Sequence, residues 1–347
     1  MVRKQQAIDA ANAVLDACPD AGTKGIASAI VNLYIKTLGD EARPLIAVEQ
    51  AFAVRIPDVP AVLVGLFDEV LANGVGDIKT TSSDITDIGG LFWASKVGCI
   101  DGQSGAYMAA RHLMGQTGRA FHWTALKKPG LRESAIAKGT RSVDTTGTQV
   151  ELTTCSSYYG VAVTAEQVEK AISTGREDAT LLSYRMAATM MENPYGYAQR
   201  RVVVWTDTDL LEAIRELQIV AREIVAACHD IYPLPRCSAA CTSFGRLCSF
   251  YQLCSRQETY DADQPANYRK KSPSPRPIPV PEHLADLCRI SASEIATWHR
   301  CRREWYYSYG LGIERKQVAD SALEVGSLVH AAIEQYNTIL YLQKGNE

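Results

Sequence analysis

Residues Gly65–Thr81 read GLFDEVLANGVGDIKTT, and the reading of this stretch decides the fold. With the preceding Ala61–Val64, its apolar and β-branched residues run and alternate as strands do. Asn73-Gly74 supplies the turn that a tight hairpin prefers. Side chains two apart on a strand share a face, so Asp77 and Lys79 emerge together, and hairpin pairing lets Asp68 converge on the same spot. Two carboxylates beside an ammonium suit Mg²⁺ or Mn²⁺, because hard cations take oxygen ligands. The lysine can hold an attacking water or stabilise a phosphoryl oxygen. A bare D-x-K is more often a solvated hairpin with ordinary charges, so this chemistry needs support from elsewhere in the chain.

Outward from the hairpin, the segment up to Leu38 has a helical pattern, and PLIAVEQAFAVRI (Pro44–Ile56) reads as a strand. QSGAYMAARHLMGQ (103–116) is an amphipathic helix and RAFHWTALKK (119–128) another strand. The Thr/Ser/Gly-rich stretch 139–163 resists assignment. Helices are expected across 164–193, then a strand RRVVVWT (200–206), then a long helix from Asp207 to His229. Thr206-Asp207-Thr208-Asp209 provides candidate caps for it. Five prolines between Pro273 and Pro281 mark 256–287 as an extended, semi-rigid linker, with Arg269, Lys270 and Lys271 as a solvated basic run. Residues 1–255 form one block and 288–347 another, and the latter is marginal in size for a domain of its own.

The chain of 347 residues is 46% hydrophobic and 22% charged, as expected of a soluble globular protein. It holds no apolar run near the ~20 residues of a membrane span. The start MVRKQQAIDAANAV lacks the apolar centre of a signal peptide, so a cytoplasmic location is expected. A net charge of −3 gives no electrostatic signature of nucleic-acid binding and does not exclude local patches. Of ten cysteines, Cys237, Cys241, Cys248 and Cys254 crowd together, which in a reducing compartment points to a metal or redox site. Cys18, Cys99, Cys155, Cys228 and Cys288 are scattered and read as buried thiols. The cluster CTSFGRLCSFYQLC lacks the close C-x2-C pairs that zinc prefers, which favours Fe–S ligation, usually by four thiolates.

Gly65-Leu66-Phe67-Asp68 followed by Asp77-Ile78-Lys79-Thr80 resembles the G-x-x-D and D-x-K-T motifs of the PD-(D/E)XK nuclease superfamily, in its RecB-like exonuclease branch. Gln103 and Tyr107 match that branch's Q-x-x-x-Y helix, and Glu49 an acidic residue of its first strand. The resemblance implies an α/β fold with a restriction-endonuclease-like core, a central mixed β-sheet flanked by helices. It also implies that Asp68, Asp77 and the Ile78 carbonyl hold Mg²⁺ or Mn²⁺, with Lys79 positioning the nucleophile and Gln103 and Tyr107 orienting the site or touching DNA.

A subset of these nucleases, AddB-type and CRISPR-adaptation-type, carries a [4Fe–4S] cluster held by three late cysteines and one far upstream. Cys241, Cys248 and Cys254 resemble the late set, with Cys237 as a substitute ligand. The upstream cysteine's motif resembles ISASEIATWHRCRREWYYSYGLG (290–312), which implies Cys301 as fourth ligand in a helical Fe–S subregion. It departs from the pattern in having Arg302 where proline is common. ALEVGSLVHAAIE (322–334) resembles the family's G-x-x-x-H helix, implying His330, four residues after Gly326, as a further metal ligand.

The usual first segment thus stands at the end of this chain. Circular permutation, 288–347 before 1–255, is the simplest account. A domain-swapped oligomer, a truncated tandem and a gene-boundary artefact stay open. Arg300, Arg302 and Arg303 beside Trp305, Tyr306 and Tyr307 can track a phosphate backbone and stack bases of single-stranded DNA, although aromatics at such spacing more often pack in a core. The chain has no P-loop, so any helicase or recombination partner is separate. The expected function is a metal-dependent DNA exonuclease in recombination, repair or phage DNA processing. The alternative is an inactive nucleic-acid-binding or helicase-associated module.

Overall fold

The computed structural model describes residues 2–39, 43, 45–96, 102–132, 134–136, 140–143, 146, 148–152, 157–229, 234–245, 247–257, 259–260, 267–273, 276–316 and 321–341. Cys99 and Cys155 lie outside them. The chain opens with helices α1 (Val2–Asp16) and α2 (Ala21–Thr37). They part at Cys18-Pro19-Asp20, where proline discourages helix continuation and Asp20 caps α2 by accepting from the Thr23 N–H.

Strands β1 (Leu45–Arg55), β2 (Ala61–Leu71) and β3 (Gly74–Thr81) then run as an antiparallel meander. Gly74 is required at the β2–β3 turn, because a Cβ there would stand 1.7 Å from the Ala120 carbonyl oxygen. Helix α3 (Gly102–Leu113) leads to β4 (Ala120–Lys127), which lies parallel to β3 along its whole length. Helices α4 (Ala165–Thr174) and α5 (Ala179–Glu192) precede β5 (Ala198–Val204), antiparallel to β4. Strand β5 starts earlier than its apolar run suggests, since Ala198 still pairs with Leu126. It also ends sooner: Thr206 and Asp209 form a reciprocal cap for α6 (Asp207–His229) instead. Short two-residue and three-residue ladders occupy 141–162.

The segment expected to be an extended linker carries β6 (Tyr268–Lys270). After β7 (Cys288–Ser291), α7 (Ala292–Arg300) and a turn of helix at Arg302–Trp305, the chain returns as β8 (Ile313–Arg315), antiparallel to β6. Tyr268 drives this pairing: it is buried, with its ring stacked on Phe250, which in turn stacks on Tyr307. The expected solvated run is engaged accordingly. Arg269 pairs with Glu314, Lys270 donates to the Leu311 carbonyl, and Lys271 lies 4.4 Å from the Tyr309 ring centroid. Helix α8 (Ser321–Tyr341) completes the described chain.

Strands β1–β5 and β7 make one mixed, six-stranded sheet, and β6 and β8 pair apart from it. One edge of β2 is shared: β7 runs parallel to its start, from Cys288↔Ala61 to Ser291↔Val64, while β3 pairs with its end, from Glu69↔Gly76 to Leu71↔Gly74. Gly65–Asp68 lie between the two ladders, where the sheet opens. One face packs Phe52, Phe67, Phe121 and Trp123 against α3, which contributes Tyr107, and against α6 and α7. The other packs Ile78 and Leu126 against α1, α2 and α8. Alternation along β3 therefore sends Asp77 toward α3 and Ile78 toward α8.

A buried polar network fastens α8 to the sheet. Glu69 pairs with Arg43 and accepts from the Asn337 amide at 3.1 Å, while Tyr34 donates to Asn337. Not all scattered cysteines are buried thiols: Cys228 is exposed, near the end of α6, and Cys18 and Cys288 are half-buried. Among the described residues no helix is long and apolar enough to cross a membrane.

Candidate active site

A cleft of about 1180 Å³ opens where β2 and β3 separate, lined by residues from β1, β2, β3, α3, α7 and α8. The pairs Val48↔Glu69 and Gln50↔Phe67 place Glu49 opposite Asp68 on neighbouring strands, and like charges so placed destabilise a sheet. Glu49 also holds a left-handed backbone, φ 47°, inside a strand, a strained conformation of the kind that collects at functional sites. His330 comes from α8, one turn beyond Gly326. A Cβ at Gly326 would stand 3.1 Å from Thr80 Oγ1, so glycine lets the helix approach β3 closely. Ligand atoms of Glu49, Asp68 and His330 all lie within 4.8 Å of one another. His330 Nδ1 is 3.6 Å from Asp68 Oδ2, which accepts from the Ile78 N–H at 3.0 Å. Burial holds the imidazole below its usual range, leaving it neutral and able to offer a lone pair.

Asp77 is buried beside this group on the α3 side. Its Oδ1 accepts from Lys79 Nζ at 3.1 Å and from Gln103 Nε2 at 2.8 Å. Its Oδ2 is 2.9 Å from Lys79 Nζ, yet it has no aligned hydrogen-bond partner. Gln103 also donates to the Tyr107 hydroxyl at 3.3 Å, while the Tyr107 ring packs edge-on to Phe52 and Phe67. Gln103 and Tyr107 thus brace Asp77 from the core. Burial pushes Asp68 up to about 6 and Asp77 up to about 7; for Asp77 the charge of Asp68 adds to it, and for both Lys79 pulls back. Opposed carboxylates and a neutral imidazole suit a hard divalent cation, while Asp77, paired with Lys79, stands outside the group of three whose ligand atoms converge.

The candidate nucleic-acid residues divide. Arg300 lines the cleft, although it is also paired with Glu304 one turn on. Arg302 pairs with Glu223 and lies 5.3 Å from the Trp298 ring centroid, and Arg303 donates to the Leu234 carbonyl. These two dock the turn after α7 onto α6 and the chain beyond it. Tyr306 is half-buried against the core, and Trp305 is buried, donating to Glu294. Packing claims these aromatics because their hydrophobic area is worth more buried than solvated.

Cys237, Cys241, Cys248, Cys254 and Cys301 line one small cavity, together with Arg236, Arg303 and Tyr307. A 3₁₀ turn (Ser238–Gly245) presents Cys241, with Cys237 just before it, a short helix (Tyr251–Cys254) presents Cys254, with Cys248 shortly before it, and the start of the turn after α7 presents Cys301. The Cys248 N–H donates to the Cys241 carbonyl, closing the loop between them. Burial raises the Cys248 thiol to about 11, helped by Glu304, Cys301 and Cys241. Cys241 is raised by burial and then by Cys254, Cys301 and Cys237. Five sulfur donors around one cavity make a soft donor set.

The cleft holds groups that motif reading did not single out. Glu334 stands one turn from His330, a spacing that puts both on one helix face. Arg276 forms ion pairs with Glu49 and Glu334, and Lys128 lines the same cleft. No local pattern marks Arg276, since proline-rich surroundings read as linker.

No curated protein and no solved structure matches the chain. Residues 289–346, well under half of it, match the family model for the PD-(D/E)XK nuclease superfamily. The match suggests a nuclease that hydrolyses its substrate and would bind DNA, and the mixed sheet flanked by helices is consistent with that superfamily's fold.

Proposed function

We propose that this chain is a divalent-metal-dependent DNA exonuclease of RecB-like type, acting on single-stranded ends in recombination, repair or phage DNA processing. The observation that carries this reading is the convergence of Glu49, Asp68 and His330 beside the Asp77–Lys79–Gln103 group in one cleft. Asp68, Asp77, Glu49, His330 and the Ile78 carbonyl would hold Mg²⁺ or Mn²⁺. When bound, such an ion stabilises negative charge gathering on the attacked phosphate. Lys79 sets a fixed positive charge at the cleft wall, where its ammonium can orient a water or a non-bridging phosphate oxygen. Gln103 keeps the Asp77 carboxylate in one rotamer, so that no reorganisation is needed at the moment of reaction. Arg300 and Lys128 supply positive charge for the backbone of the strand.

Cys241, Cys248, Cys254 and Cys301 would hold a [4Fe–4S] cluster, with Cys237 as the alternate ligand. The cluster would act as a covalent-like clamp between the segment after α6 and the segment after α7. The pairing of β7 with β2 and the packing of α8 on α1 support a circularly permuted domain, 288–347 before 1–255, completed within one chain. The cytoplasm, a reducing compartment, suits the cluster's thiolates.

Anaerobic purification followed by digestion of end-labelled DNA with Mg²⁺ or Mn²⁺ tests this function. Loss of cleavage in Asp77→Ala with retained colour and fold is expected. DNA binding without metal-dependent cleavage by the unmodified protein would instead mark an inactive nucleic-acid-binding module.

A further inference from the structure

One side chain of the proline-rich segment reaches the same cleft. Arg276 Nη1 donates to Glu49 Oε2 and its Nη2 to Glu334 Oε2, each at 2.9 Å. The planar fork thus spans two carboxylates, one from β1 and one from α8, in a geometry that a lysine could not reproduce. Glu49 is also one of the three groups gathered for a cation. A carboxylate has two oxygens, so Glu49 can hold the guanidinium through Oε2 and a metal through the other.

We propose that Arg276 takes the place of a second divalent cation, so that the cleft binds a single metal ion per chain. This rests on the metal-dependent reading of the same cleft. Occupancy favours it, because Arg276 already holds one oxygen of Glu49 and one of Glu334. A second ion on Glu49 and Glu334 would have to displace the guanidinium or sit against it, with strong like-charge repulsion. Pro277 restricts the backbone beside Arg276, and Ile278 also lines the cleft, so the segment is held where the arginine can reach. Arg276 is half-exposed, with a side-chain exposure of 52%, so its removal should leave the fold intact.

Mn²⁺ titration of the full-length, cluster-loaded protein, counting bound ions by loss of the free-Mn²⁺ electron paramagnetic resonance signal, tests the proposal. One tightly bound ion is expected in the unmodified chain and two in Arg276→Ala. The double variant Arg276→Ala/Glu334→Gln should return to one, because the second site then lacks a carboxylate. Thermal unfolding of each variant checks that the fold is kept. If Arg276→Ala binds only one ion, or the unmodified chain already binds two, Arg276 is no cation substitute and the metal-dependent reading survives. An unmodified chain that binds no ion removes both.

Discussion

Asp77→Asn should make the metal-free protein more stable at pH 8, although it removes a group proposed for the metal site. Asp77 is 1% exposed, and burial with the neighbouring Asp68 charge raises its carboxyl from 3.8 to about 7. A carboxyl raised on folding stabilises the folded state fully below its unfolded pKa. That contribution is lost as pH rises through the folded value. At pH 8 the native state therefore bears a penalty on the order of 4 kcal/mol, at ~1.4 kcal/mol per pKa unit. That penalty is already net of the Lys79 attraction, and the variant's remaining cost is an amide group that must face the ammonium. This cost offsets about half, leaving a net gain of about 2 kcal/mol, within the range measured for relieved buried charge. Denaturant unfolding in chelator at pH 8 and pH 5 reads it directly. At pH 5 the carboxyl is already protonated, and the gain should shrink to near zero or reverse. A variant less stable than the parent at pH 8, or a difference independent of pH, would refute the burial argument for Asp77.

Other consequences can be checked as simply. Mn²⁺ should stabilise the protein more at pH 8 than at pH 5.5, since protons compete for Asp68 and Asp77, raised to about 6 and about 7; equal thermal shifts at both values would remove these groups as ligands. Cys301→Ala should lose iron, the brown absorbance and several degrees of melting temperature, whereas Cys237→Ala should keep most of the iron; equal losses would reassign the ligands. Arg43→Ala leaves the buried Glu69 without its cation and should cost ~3–5 kcal/mol in chemical denaturation, with Asn337 too weak a substitute. Gly74→Ala should fail to give soluble folded protein on expression, because the Ala120 carbonyl occupies the space a Cβ needs.

Part of the candidate site was legible because its residues lie on elements whose periodicity is strong. The hairpin of β2 and β3 is written in its β-branched run and Asn-Gly turn, and Asp68, Asp77 and Lys79 are carried on it at fixed spacing. Gln103, Tyr107, Gly326 and His330 stand on periodic helices, but the resemblance of their motifs to a known family, not the repeat, singles them out. The aromatic and basic residues after Cys301 were harder to read. The same side chains serve packing and nucleic-acid contact equally well, and only the structure shows Arg302, Trp305 and Arg303 beside Glu223, Glu294 and the Leu234 carbonyl.

The sequence by itself determined the local elements and the chemical character of the hairpin, because backbone propensity, turn chemistry and side-chain alternation act over a few residues. Tertiary structure alone decided how β2 shares one edge between β3 and β7, opening the sheet at Gly65–Asp68. It also decided that Glu49 faces Asp68 and that Arg276, from a stretch that reads as linker, lies between Glu49 and Glu334. The β2–β7 pairing and the Arg276–Glu49 contact join residues more than two hundred positions apart. No short-range pattern encodes such pairs; they follow from burial of two apolar sheet faces, which brings distant polar groups to the one cleft left open.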